Sequence, residues 1–406
     1  MSAFLYRTFA ALQHRNYRLW FSGQLVSLFG TWMQSTAQGY LVYELTKSPA
    51  YLGYVGFASG LPSWLFMLYG GVIADRMPRR RMLLLTQTAM MILAFILAAL
   101  TFSGRVQAWH IIILALGLGT ANAFDAPARQ AFVTELVERE DLTNAIALNS
   151  TMFNAATVLG PALAGLTYAA FGPQWCFTIN ALSFIAVIIA LSFMHLKPFQ
   201  APTMLNSVLV DLKEGLRYVA HQPVIRFIIL NLGMVSLVGL GFVTLMPAWS
   251  VKVLGGDAAT NGYLHSARGF GALSGALMIA SLGRINFKGR LLTMGSFVMP
   301  AFLLVFSVAR WLPFSMLALM ATGWGFMVMA NMSNTLVQTN TPDELRGRVM
   351  GVYTLTFFGF MPIGALINGA FATRIGPPLT VQFNSLIMLA FAALLWLRFP
   401  TLRKLN

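Results

Sequence analysis

Apolar stretches of about 20 residues, separated by short polar connections, recur from one end of the 406-residue chain to the other. A helix of that length crosses a hydrocarbon layer about 30 Å thick. The pattern places spans at 20–44, 50–74, 82–102, 108–131, 143–168, 174–195, 225–249, 259–282, 290–309, 312–337, 349–372 and 378–399. None has the alternating pattern of a barrel strand, so backbone groups carried into lipid must be satisfied inside helices. The predicted class is an all-α integral membrane protein with twelve transmembrane helices.

Charge sharpens this picture. Charged residues make up 10% of the chain and hydrophobic ones 57%, against about 25% charged in a soluble domain. A net charge of +15 would suggest nucleic acid in a soluble protein. Here the cations crowd into the N-terminal arm, the even-numbered connections and the tail. The odd-numbered connections hold only Lys47, Arg105, Lys252, Arg310 and Arg374, and Arg268 is left inside a span. By the positive-inside rule both termini are cytoplasmic, and the expected location is a bacterial inner membrane with lipid, not nucleic acid, as the surrounding partner. The arm Met1–Trp20 has no small-residue cleavage site and reads as a cytosolic arm rather than a signal peptide. The one cysteine, Cys176, excludes an intrachain disulfide and reads as a small packing residue.

The longest connection, 196–224, contains Val208–Val219, whose apolar positions can line one face of a helix along the membrane surface. It divides the chain into 1–195, 196–224 and 225–406. Val26–Gly30 reappears as Val235–Gly239, and Gly53-Tyr54-Val55 as Gly262-Tyr263-Leu264. Gly117 and Gly119 match Gly323 and Gly325, and Gly172-Pro173 matches Gly376-Pro377. A nearly constant offset of about 204–209 residues implies two parallel six-helix repeats able to rock about a midplane site.

After the second span runs Gly71-Val72-Ile73-Ala74-Asp75-Arg76-Met77-Pro78-Arg79-Arg80-Arg81. This resembles the signature of the major facilitator superfamily, Gly-x-x-x-Asp-Arg/Lys-x-Gly-Arg-Arg/Lys, with Pro78 in place of a glycine. The resemblance implies a conformational latch of Gly71, Asp75, Arg76, Arg79 and Arg80. Asp75 would dock on the N-terminus of the eleventh span, and Arg76 would pair with an acid near the end of the fourth. Topology alone explains the arginines but not Gly71 and Asp75. The offset carries Asp75 to Arg284 and Arg79 to Lys288, so one acid-bearing latch is expected. Phe124-Asp125-Ala126-Pro127-Ala128-Arg129 and Asp343-Glu344-Leu345-Arg346-Gly347-Arg348 add a resemblance to the branch with enterobactin-type exporters and macrolide efflux proteins.

Asp125 and Arg129 are four residues apart and can pair on one helix face. Asp125 reads as a gate partner for Arg76, a protonatable coupling group, or half of a structural ion pair. Arg268 lies about 15 Å into the eighth span, where a cation needs water, a partner or an anion. It can bind a carboxylate or phenolate on a substrate, or snorkel and bind carbonyls; His265 shares a similar face. Gly160-Pro161-Ala162-Leu163-Ala164-Gly165 resembles the fifth-helix antiporter signature with Ala156 and Ala164 replacing glycines, and close packing explains it equally. Gln34, Gln38, Asn122, Asn331 and Asn334, with Gln24, Asn154 and Asn231, are candidates to line a wet cavity or to bond neighbouring helices.

No phosphate-binding loop, H-E-x-x-H or G-x-S-x-G is present, which points away from an ATP engine or an enzyme; no cofactor or metal is expected. The expectation is a monomeric secondary transporter exporting a small organic molecule, of drug or siderophore type, in exchange for protons. An importer or lipid flippase on the same scaffold and a non-transporting receptor are the alternatives.

Overall fold

The computed structural model describes residues 8–196, 208–283 and 286–405, with the side chains of Met67, Leu68, Val72, Asp75, Val208 and Leu209 outside that set. The fold is all-helical, with no strand among the described residues. The first six long helices are α1 (Arg15–Thr46), α2 (Pro49–Arg76), α3 (Arg79–Phe102), α4 (Ala108–Phe132), α5 (Leu142–Phe171) and α6 (Pro173–Ser192). A shorter helix, α7 (Val208–His221), leads into α8 (Pro223–Lys252). The rest are α9 (Ala258–Ser281), α10 (Lys288–Val308), α11 (Leu312–Thr339), α12 (Asp343–Ile375) and α13 (Pro377–Arg398).

Each of the twelve apolar stretches falls in one of these long helices. Among the described residues eight helices, α3, α4, α6, α8 and α10–α13, are long and apolar enough to cross a membrane. The remaining four, α1, α2, α5 and α9, have 32, 28, 30 and 24 residues, so length does not set them apart. Of these, α1, α5 and α9 carry glutamine, asparagine or histidine within the span, which a helix packed among other helices can hold.

Helix ends follow local chemistry. α5 and α12 stop at Gly172 and Gly376, whose φ values of +91° and +84° suit glycine, and Pro173 and Pro377 then open α6 and α13. The repeated Gly-Pro pair is thus a stop and start signal used twice. Another of the repeated segments behaves asymmetrically. Val26–Gly30 is regular helix, whereas Val235–Gly239 is a π-turn followed by a 3₁₀ stretch, Leu240–Leu245. The irregular stretch lies where α8 presses on α12: a Cβ on Gly241 would meet the Asn368 amide, and one on Gly364 would lie 2.3 Å from the Leu237 carbonyl.

Among the first six helices, α1 packs on α5 and α6, α2 on α4, and α3 on α4 and α6. Among the last six, α9 and α10 pack on α11, α10 on α13, and α8 on α12. Between apolar helices in lipid, close contact replaces the hydrophobic drive. At Gly271 of α9 the approach is so tight that a Cβ would lie 1.8 Å from the Met320 carbonyl of α11.

The sequence suggests that α7 lays its apolar face on the membrane surface. Only part of it is free to do so. Leu212, Tyr218 and Val219 pack into the core built by α8, α11 and α12, while Val210 and Leu216 are exposed. Arg348 of α12 supplies the rest of the docking, with Nε at 2.8 Å from Asp211 and Nη1 at 2.6 Å from Glu214.

Candidate substrate chamber and conformational latch

The first and last six helices meet along two pairs, α2 with α12 and α5 with α9. In each pair the tight contacts lie toward one end of the bundle, formed by Thr46, Pro49, Phe171, Lys252, Ala258 and Ile375 and termed the distal end. The proximal end holds α7, the start of α1 and the end of α13. On α2, a Cβ on Gly53 would lie 2.9 Å from the Ala365 carbonyl, and one on Gly60 would lie 2.3 Å from the Pro362 ring. One on Gly359 would strike the Trp64 indole at 2.4 Å. On α5 and α9, Gly165 abuts Ala258 and Ala259, and Gly262 abuts Pro161. An apolar cluster with Leu41, Val42, Tyr43 and Leu52 reaches across to Ala248 and Ala258 and seals the distal end.

The same faces of α2 and α12 carry on toward the proximal end, where they part. Among the described residues, nothing lies within 4 Å of a Cβ added at Gly71, Gly347 or Gly351. The helices run antiparallel, and Gly53 against Gly369, with Gly60 against Pro362, sets their register. Continued at the same spacing, it puts Gly71 opposite Gly351 and position 75 opposite Gly347. The Asp75 side chain lies outside the described residues, as does Arg284, its repeat counterpart; Lys288 opens α10.

Charges around the α2–α3 turn are distributed differently from the sequence expectation. Arg79 Nη1 lies 2.6 Å from Glu135 just beyond α4, whereas Arg76 is exposed. Arg80 donates to the Ser192 carbonyl at 2.8 Å and to that of Met194 at 3.3 Å, closing the end of α6. Asp125 is 1% exposed. It accepts from Thr86 Oγ1 at 2.8 Å and Gln87 Nε2 at 2.9 Å, with Arg129 Nε 3.6 Å away. Among the described residues Arg76 and Asp125 are not paired in this conformation; Thr86 and Gln87 of α3 and Arg129 surround the carboxylate instead. Glu135 was missed from sequence; an acid just past the fourth span was its only signal.

Most of the polar span residues are occupied within the chain. Gln34 accepts from Asn180 at 2.6 Å, Asn331 donates to Met327 at 3.1 Å and Asn334 accepts from Gln338 at 2.6 Å. Gln38 is buried and Asn122 exposed. Gly160 receives the Trp32 side chain, and with Pro161 and Gly165 it makes that segment of α5 a packing surface toward α1 and α9.

α9 is different. Gly262 and Gly269 face α5, Gly271 and Gly275 face α11, and Phe270 and Leu277 are exposed on a third side. At about 100° per residue the remaining side, turned inward, carries Asn261, His265 and Arg268. Both amide atoms of Asn261 and the Nε of Arg268 are buried without a hydrogen-bond partner. Asn261 escaped the sequence reading because a single asparagine one turn into a span has no distinguishing pattern.

The chain matches the family described as transmembrane secretion effector over residues 6–406. It is 28% identical over 382 residues to the multidrug efflux pump Tap of Mycolicibacterium fortuitum, covering 90% of this chain and 91% of that one. It is 25% identical over 366 residues to a staphyloferrin A transporter of Staphylococcus aureus, with coverage of 88% and 90%. With the enterobactin exporter EntS of Shigella flexneri it shares 27% identity over 397 residues, 96% and 93% of the two chains. Solved structures with the same fold include a bacterial homologue of the human lysosomal transporter Spinster in an inward-facing, unoccupied conformation, with a TM-score of 0.72, 13% identity and coverage of 98% of both chains. The nucleoside transporter NupG aligns with a TM-score of 0.70 and 16% identity over 97% of this chain and 100% of that one.

Proposed function

Because the chain belongs to the transmembrane secretion effector family of major facilitator transporters, we propose that it is a secondary active exporter of a small organic molecule working by alternating access. It is a membrane transporter and not an enzyme. The proposed architecture is twelve crossing helices in two six-helix bundles, 1–195 and 225–406, joined by the segment 196–224 that contains α7. The proximal end, with both termini and most cations, faces the cytoplasm. The conformation is then closed outward and open inward.

One observation carries this reading: the facing sides of α2 and α12 are packed hard at Gly53, Gly56 and Gly60, yet among the described residues they are open at Gly71, Gly347 and Gly351. Two rigid bundles that rock about the middle would exchange these states. Closing the proximal end would bring Gly71 onto Gly351, where neither has a side chain in the way. It would also carry the position-75 carboxylate toward the first turns of α12, whose unpaired N–H groups and dipole favour an anion. Arg79–Glu135 and Arg80 with the end of α6 hold the α2–α3 turn rigid inside the first bundle, so the latch moves as one body.

Outward direction is supported by relatives named as exporters of enterobactin and as a drug efflux pump. Without a phosphate-binding loop, the energy would come from a proton gradient. Asp125 is already satisfied by Thr86, Gln87 and Arg129, which favours a structural role for it over proton carriage. The test is flux in proteoliposomes under an imposed pH gradient: rhodamine 6G should be expelled against its concentration only while the gradient lasts. Accumulation that ignores the gradient would overturn proton exchange, and inward-only flux would favour an importer.

A further inference from the structure

From the inward side of α9 we infer a subsite for an anionic organic group, a carboxylate or acidic phenol, with Arg268 as its charge partner and Asn261 as a hydrogen-bonding partner. The inference deepens the transporter reading and rests on it. Asn261, His265 and Arg268 follow the i, i+4, i+7 spacing of a single stripe, about 10 Å long. Arg268 is the eleventh residue of α9, roughly 15 Å from its first turn, and so lies at mid-depth. Among the described residues no carboxylate lies within 4.0 Å of it, and none of its nitrogens has a hydrogen-bond partner.

Neighbouring helices deny it the usual escapes. α5 and α11 press on the glycines to either side, and Phe270 and Leu277 are exposed on the opposite side, so the guanidinium has no sideways route to the outer surface. A cation held at that depth needs water or an anion. A guanidinium matches planar carboxylates through paired N–H donors. Asn261, 1% exposed with both amide atoms unpartnered, extends the unmet hydrogen bonding one stripe-length toward the distal end. Buried unpartnered polar atoms also occur elsewhere in the bundle, as at Gln24, Gln34 and Trp249, but on α9 they share one stripe with a cation, where a ligand would complete the site. Ser59, the repeat counterpart of Arg268, donates to its own helix at the Gly56 carbonyl at 3.1 Å, so the scaffold does not require a cation there.

The test uses full-length protein in neutral-lipid nanodiscs and two xanthene dyes of similar shape: fluorescein, with a carboxylate and an acidic phenol, and the cation rhodamine 6G. Fluorescence polarisation should show fluorescein binding that falls roughly tenfold or more in Arg268→Gln. Arg268→Lys should recover much of it, Asn261→Ala should weaken it, and rhodamine 6G should bind Arg268→Gln at least as well as it binds wild type. Equal loss of both dyes, unchanged fluorescein affinity, or no fluorescein binding by wild type overturns the subsite. Rhodamine 6G flux in proteoliposomes keeps the two readings apart. Flux without an Arg268-dependent anion preference removes the subsite alone, and absent flux with intact fluorescein selectivity removes the transporter reading.

Discussion

Gly60 of α2 sits so close beneath Pro362 of α12 that a Cβ on the glycine would lie 2.3 Å from the proline ring. Pro362 is rigid and buried inside α12, so it cannot give way. Gly60→Leu should therefore force the distal contact apart rather than be absorbed, at a cost of about 1–3 kcal/mol to that state. In a Cys176→Ser background, a reporter cysteine at Leu52, which is 3% exposed in the distal seal, should label from the distal side faster in Gly60→Leu. Unchanged labelling would mean that the seal does not depend on this contact.

The opposite end should respond in reverse. Gly351→Leu meets open space in the present conformation, so the protein should fold and melt as wild type does. Transport should nevertheless fall steeply, because the added side chain stands where Gly71 must approach. Normal flux with a normal melting temperature would remove the proposed closure.

Asp75→Asn should also depress transport by shifting the conformational balance more than ligand affinity. The measurement is paired: labelling of cysteine reporters on both faces, and dye affinity. Identical labelling on both faces would count against the latch.

Asp125 accepts two hydrogen bonds and pairs with Arg129, so its loss is a stability effect. Asp125→Ala leaves Arg129 without its acid and Gln87 Nε2 without its acceptor, while Thr86 can fall back on the Met82 and Leu83 carbonyls, at a cost of about 1–3 kcal/mol. Asp125→Asn retains an acceptor and should lose less. Thermal unfolding in detergent ranks the variants, and pH-gradient dependence of flux should survive in Asp125→Asn if the carboxylate is not the proton carrier.

Arg348→Ala removes the clamp on Asp211 and Glu214. Because the pair is partly solvated, the loss should be about 1 kcal/mol, yet α7 should detach more often. Limited trypsin digestion at Lys213 or Arg217 should quicken, and added salt should produce a similar effect in the wild type. Equal digestion rates would show that apolar packing of Leu212, Tyr218 and Val219 suffices.

Hydropathy alone located every long helix, because lipid imposes its demand residue by residue and along the chain. The stop-and-start glycine and proline at 172–173 and 376–377 were equally legible, since backbone geometry is a local property. α7 was half legible: its helix was evident, but not that Arg348, 137 residues beyond Asp211, would hold it. The motif after α2 and the cation inside α9 were visible in the sequence as patterns, one by its spacing and the other by a charge where charges are costly; their roles are proposals. Partner choice was not readable. Nothing in Arg76-Met77-Pro78-Arg79 says which arginine reaches Glu135, and Asp125 carries no sign that Thr86 and Gln87 will surround it. Nor did the glycines of α2 reveal that Gly53, Gly56 and Gly60 abut α12 while Gly71 stands open among the described residues. These depend on how separate helices are set against one another, and that register arises only once the bundle is packed.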